Sequence, residues 1–306
     1  MRNLLKDRLI LLFIYLVTFA IAGFIGNSYT GLSPLLRLFL AVLSATVVLW
    51  LFSFLSDNSS IFDPYWSVAP PLFLICLWAF MPGNRFPASG HESMIVASGS
   101  LARNITVFLL VFIWSVRLTW NFLRGWKGLK HEDWRYAAMR KRTGMFYWTI
   151  SFAGIHLFPA MMVFLGCLSL WVVALKGVRG PNILDLLGIL VTGFAILLEA
   201  DADRQLHRFV AANPGNGKTL QTGLWSVSRH PNYLGEIGFW WGLFFFSLAA
   251  DPDFWWVIIG PVAITLMFVF ISIPMIEKRM QERRTDYGEY RKKVRMLFPF
   301  FNVRPS

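Results

Sequence analysis

Cysteine is nearly absent from this 306-residue chain: only Cys76 and Cys167 occur. Both lie inside apolar stretches, which excludes a disulfide framework and a thiolate metal site and leaves ordinary packing as their role. Acidic residues are also scarce, 17 against 29 Lys and Arg. No HExxH, paired CxxC or GxGxxG pattern is present, so a zinc hydrolase helix and a Rossmann dinucleotide domain both lack their signatures. Low-complexity tracts, internal repeats and a separate soluble domain are missing too.

What the chain has in excess is apolar surface. Hydrophobic residues make up 56% and charged residues 15%, and the apolar residues come in long runs and not as amphipathic stripes. That composition predicts an all-α, polytopic membrane bundle of seven or eight transmembrane helices. The expected spans are Leu9–Gly26, Pro34–Leu55, Trp66–Met81, Ile105–Phe122, Phe146–Leu175, Ile183–Leu198, Ile237–Ala250 and Phe254–Ile276. The first is too long for a cleaved leader and reads as a retained helix.

A formal charge of +12 could suggest nucleic acid, but the placement of Lys and Arg is a topology signal instead. With a cytoplasmic amino terminus and eight crossings, 24 of the 29 basic residues fall on the cytoplasmic side, leaving Arg37, Arg85, Arg103, Lys176 and Arg179 elsewhere. Both termini are therefore expected in the cytoplasm, the membrane being a bacterial inner membrane or the endoplasmic reticulum. Membrane lipids are the expected partners of the basic tail, Arg291 to Arg295 above all, and nucleic acid is not.

Charge is costly in lipid, so the clusters of polar residues mark where chemistry can occur. The densest is Arg229-His230-Pro231-Asn232-Tyr233-Leu234-Gly235-Glu236. Pro231 suits the first turn of a helix and Ser228 suits its cap. Free N–H groups and the positive dipole end beside Arg229 and His230 would make an anion site. Upstream, Glu199 and Asp203 share a helix face, with Arg208 little more than a turn beyond. Arg117 and Arg124 end the fourth helix, followed by Glu132-Asp133-Trp134-Arg135-Tyr136. Lys278, Arg279 and Tyr287 lie under the last span. His156, inside a span, is expected to make a helix-to-helix hydrogen bond. Ala212 to Thr219 nearly spells a phosphate loop, but Ala212 replaces its first glycine and a helix precedes it, so a turn is expected there.

Glu199-x-x-Ala-Asp203-x-Gln205, Gly223-Leu-Trp225, Ser228 to Glu236, the Trp-Trp-Gly run at 240–242, Glu277-Lys-Arg279 and Asp286-Tyr287 to Phe298-Pro299-Phe300 together resemble the uncharacterised bacterial-type branch of the steroid 5α-reductase superfamily. The shared Arg-His-Pro-x-Tyr signature is also distantly similar to isoprenylcysteine carboxyl methyltransferases. The chain is expected to form a single integral membrane domain over 1–306, with an N-terminal helical pair over 1–60 and a reductase-like region over 61–301.

The resemblance implies NADPH bound among the cytoplasmic halves of the C-terminal helices, and reduction of an activated carbon–carbon double bond in a lipid-like substrate, sterol-like or isoprenoid. The cofactor contacts it implies, with the reading of the residues, are Arg117, Arg124, Glu199, Asp203, Arg208, Arg229, His230, Asn232, Tyr233, Glu236, Lys278, Arg279 and Tyr287. Where steroid reductases carry a catalytic tyrosine this chain has Trp114, which has only an N–H to offer. Tyr65 as proton donor, oriented by Asp63, is the expected replacement. The alternatives are an S-adenosylmethionine-dependent lipid or prenyl-cysteine methyltransferase, in which Arg229, His230 and Pro231 would hold one carboxylate, and a non-catalytic lipid-binding protein.

Overall fold

The computed structural model describes residues 2–80, 91–177, 179–215 and 217–298. Met81, Arg85, Pro299, Phe300 and Arg304 lie outside the described residues. Every regular element among the described residues is helical, and eight helical stretches are long and apolar enough to cross a membrane. They are Leu4–Ser28, Pro34–Leu55, Ser59–Trp78, Ser100–Gly125, Trp134–Leu175, Ile183–Ala212, Pro231–Ala250 and Pro252–Arg283. The upper number from the sequence therefore holds. The sixth stretch runs well past the expected Leu198, because the polar residues that follow still favour helix even where apolar character ends.

The chain divides into two compact units, 1–180 and 181–306. In the first, α1 (Arg2–Ser28) and α2 (Pro34–Leu55) form a hairpin. Ser33 caps α2, its Oγ accepting from Leu36 N at 3.4 Å, and Pro34 takes the first turn where its missing N–H is no loss. The hairpin closes tightly at Gly26, where an added Cβ would stand 3.3 Å from Ala41 Cβ. A 3-10 turn, Ser59–Phe62, leads into α3 (Tyr65–Phe80), which carries Pro70 and Pro71 in its interior. α4 (His91–Gly125), α5 (Trp134–Thr143), α6 (Tyr147–Ser151) and α7 (Phe158–Leu175) complete the unit.

The second unit holds α8 (Ile183–Ala212), α9 (Pro231–Ala250), α10 (Ile259–Met267), α11 (Ile273–Arg283) and the short α12 (Tyr287–Lys293). α8 and α9 approach closely along Gly235, Gly238 and Gly242, with α8 backbone against Gly235 and Gly242 and the Ala195 Cβ against Gly238. A Cβ at Gly235 would lie 2.7 Å from Glu199 Cβ and 2.8 Å from Ala195 O, and one at Gly242 would strike Thr192. Small residues on one helix face permit this close approach inside a bilayer, where apolar burial alone does not drive helices together.

Both units contain one turn of π-helix, Phe152–Leu157 and Phe268–Ser272. Each directly precedes a helix with a proline at its second residue, Pro159 in α7 and Pro274 in α11. A proline ring cannot sit over the carbonyl four residues back, and the widened turn gives it room.

Candidate functional site

A cavity of about 380 Å³ lies among α1, α2 and α3, lined by apolar side chains that include Phe19, Leu38, Ala45 and Phe73, with Asn27 and Tyr65 also on its wall. Tyr65 opens α3 and is held as the middle of an aromatic stack, 4.9 Å from Phe62 and 6.3 Å from Phe19 between ring centroids. It is only 1% exposed, and its hydroxyl makes no hydrogen bond to any described residue. A phenol in an apolar wall without a partner carries a desolvation cost that a ligand oxygen would relieve.

Asp63 does not orient it. The Asp63 carboxylate instead accepts a short hydrogen bond from the Tyr136 hydroxyl, and Arg135 NH2 stands 3.7 Å away. Residues two apart at a helix start project in different directions, so the adjacency of Asp63 and Tyr65 in sequence does not become a contact. Tyr136 and Arg135 are held in place by α5, whose amino end Asp133 caps by accepting from Arg135 N at 2.9 Å. The sequence showed this acidic and basic run but gave no sign of its partner 73 residues upstream.

Around that pair lies a wider polar network in the same unit. Glu132 Oε1 accepts from Ser59 N at 3.0 Å and from the Tyr147 hydroxyl at 3.1 Å. Arg140 pairs with Glu132 at 3.1 Å and Asp57 at 2.6 Å while covering the Tyr147 ring at 4.0 Å. His156, fully buried, bridges α2 and the π-helical turn: Nε2 lies 3.1 Å from Ser53 Oγ and Nδ1 3.0 Å from Ser151 O. The helix-to-helix bond expected of it is made. Farther along, Arg117 is half-buried on α4 and Arg124 is exposed in its last turn.

In the second unit, Arg229 and His230 are gathered at the start of α9, and a carboxylate holds both. Glu277 Oε1, from α11, accepts from Arg229 Nε at 2.7 Å and lies 3.0 Å from His230 Nε2. Arg291 Nε approaches its other oxygen at 3.4 Å. The Arg229 NH1 group donates to Val294 O at 2.6 Å and Arg291 O at 3.2 Å, and its backbone N–H to Arg295 O at 2.8 Å. Arg229, His230 and Glu277 are each at most 8% exposed. Burial lowers the His230 pKa, and the Glu277 hydrogen bond opposes this without cancelling it. The ring is thus neutral and donates through Nε2–H.

Pro231 occupies the first helical turn as expected, but His230 is the cap residue and Ser228 serves a step earlier, its Oγ accepting from His230 N at 3.3 Å. Tyr233, half-buried, stacks on His230 at 5.5 Å and leans on Phe268 at 4.9 Å. Glu236 is buried and accepts from Trp240 Nε1 at 3.0 Å. Glu199 is buried against Gly235, Asp203 is half-buried and Arg208 is exposed on the same continuous helix. Lys278 is exposed and Arg279 half-buried on α11. Tyr287 is buried, and burial followed by the Glu277 charge pushes its pKa up.

The near-phosphate loop after α8 is bound to the tail: Thr219 donates to Asp286 through N at 3.0 Å and Oγ1 at 2.7 Å. Burial would push the Asp286 pKa up, but these bonds and one from Gln221 outweigh it and hold it low.

The family described as Protein of unknown function (DUF1295) matches residues 49–295, and the chain belongs to it. An uncharacterised protein of Schizosaccharomyces pombe is 27% identical over 274 residues, covering 82% of this chain and 76% of that protein. No solved structure matches. The family match begins inside α2, so α1 and the first part of α2, which supply much of the cavity wall, precede it.

Proposed function

We propose that this chain is a multi-pass membrane enzyme acting on a lipid-like molecule, and that its reaction is NADPH-dependent reduction of an activated carbon–carbon double bond. The observation carrying this reading is Tyr65, a buried residue on the wall of an apolar cavity whose hydroxyl makes no hydrogen bond to a described residue. The volume is in the range of small-molecule pockets, and one polar group in a greasy wall fixes the orientation of a ligand with one polar end. An enone carbonyl placed there would accept from the Tyr65 hydroxyl, which polarises the double bond toward attack. NADPH, when bound, would supply the hydride for the β-carbon, and the Tyr65 hydroxyl would give the balancing proton to the carbonyl oxygen, forming the enol that returns to the saturated ketone.

The resemblance to the bacterial-type branch of the steroid 5α-reductase superfamily supports the same reaction class. The basic residues clustered on one side support cytoplasmic termini. Among the residues expected around the cofactor, Asn232, Arg208 and Lys278 make no hydrogen bond or ion pair to described residues and keep their donors for carboxamide and phosphate. Arg229 and His230 are engaged by Glu277 and serve to fix the start of α9.

That engagement favours one second reading. With Arg229 and His230 neutralised internally, fewer cations remain for a ligand carrying several phosphates, and an S-adenosylmethionine-dependent methyltransferase needs only one cation for the donor's carboxylate. The two are separated by incubating the purified protein with a membrane lipid extract and either cofactor. Loss of NADPH absorbance that requires the lipid extract is expected. Transfer of labelled methyl to lipid without NADPH consumption would reverse the order of the readings. Neither reaction, with lipid still co-purifying, would leave a non-catalytic lipid-binding protein.

A further inference from the structure

The cavity among α1, α2 and α3 has unlike ends. Along α1 its wall runs from Phe19 to Asn27, roughly 12 Å at the helical rise. Tyr65 stacks on Phe19, and both Tyr65 and Ala69 one turn on are buried, so this end is closed. Phe24, Asn27 and Ile75 also line the cavity but are exposed, so the other end is its mouth. A ligand entering there brings its leading end to Tyr65.

Asn27 is the polar group of that mouth, and its amide has a fixed orientation. Arg37, buried near the start of α2, donates from NH2 to Asn27 Oδ1 at 3.1 Å and from Nε to Gly26 O at 2.7 Å. A guanidinium only donates, so the amide atom that faces it is the oxygen. The Nδ2 group is the end turned away from Arg37, and it donates to no described residue. Arg37 is not on the cavity wall; its part is to hold the amide.

We infer that Asn27 is a specificity-determining residue, and that the cavity takes an elongated lipid with an oxygen at each end. A carbonyl lies at Tyr65 and an acceptor oxygen at Asn27 Nδ2, roughly 12 Å apart. The inference rests on the proposed reading of Tyr65 and adds the second polar end. Between the two the wall is apolar, with Val42 and Phe73 on it. An oxygen placed midway would be buried without a partner, so the pair selects length as well as chemistry.

The test measures binding of two straight-chain methyl enones of equal length to the full chain in lipid nanodiscs, without nucleotide. One carries a second ketone roughly 12 Å from the enone carbonyl, and the other ends as plain hydrocarbon. The two partition differently into lipid, so the readout is the ratio of their affinities in each variant against the wild-type ratio. Asn27→Leu should lower the diketone's advantage about fivefold, the worth of one neutral hydrogen bond. Asn27→Asp keeps an oxygen for Arg37 but turns the donor into an acceptor, and should lower it at least as far. An unchanged ratio in either variant would overturn the inference while leaving the reading of Tyr65 intact. Tyr65→Phe should weaken both ketones by a similar factor, and a loss confined to the diketone would overturn the two-ended arrangement. A diketone with its carbonyls half as far apart should gain nothing from Asn27; an equal gain would overturn the spacing. Should neither ketone bind the wild-type protein, the reading of Tyr65 falls and the inference with it.

Discussion

Tyr65 in the first unit and Arg229 in the second are both buried polar side chains on transmembrane helices or at their starts, and they differ in what the fold has done with them. Arg229 is held on several sides: Glu277 takes its Nε, two backbone carbonyls take its NH1 group and a third takes its own N–H. Tyr65 has ring contacts with Phe19 and Phe62, and its hydroxyl bonds to no described residue. A dense polar motif can thus be a structural clasp, while a lone phenol in an apolar wall can be the group left for a ligand. What separates the two cases is satisfaction, not the number of charged residues.

Breaking the clasp should have the largest effect. Glu277→Gln leaves Arg229 and Arg291 facing a neutral amide in a buried site, and removing one partner of a buried ion pair costs about 3–5 kcal/mol. A melting temperature equal to that of the wild type in the same detergent would show that the cluster is solvated. Gly235→Val comes next, because its side chain would meet Glu199 Cβ and the Ala195 carbonyl. Overpacking of this kind costs about 1–3 kcal/mol, and a lowered melting temperature would report the separation of α8 from α9.

A smaller effect follows from His230. Its pKa is below the ordinary 6.5 when folded, so the unfolded chain takes up the proton first as pH falls. Stability from this group is full above about pH 6.5 and declines as pH drops from there toward the folded value. His230→Gln should flatten the stability profile over that window, and an unchanged slope would assign the decline to another group. The smallest stability effect should be that of Tyr65→Phe, within about 0.5 kcal/mol, because no protein hydrogen bond is lost. A large destabilisation would mean that the hydroxyl has a structural partner after all, and the contrast with Arg229 would fall.

The fold was largely legible in the sequence. Apolar runs pointed to seven or eight spans, of which eight are present, Pro231 marked a helix start, and His156 inside a greasy stretch had to find a partner on another helix. The site was less so. Glu277 is 48 residues from Arg229, and Tyr136 is 73 from Asp63, and no local pattern encodes such pairings. The glycines at 235, 238 and 242 recur at helical spacing and could have signalled close packing of α9.

The most direct test is a high-resolution structure of the protein extracted from native membranes under mild conditions. The account requires elongated density in the cavity among α1, α2 and α3, with an oxygen about 2.5–3.0 Å from the Tyr65 hydroxyl. A collapsed or empty cavity, with that hydroxyl bonded to a protein group, would contradict it.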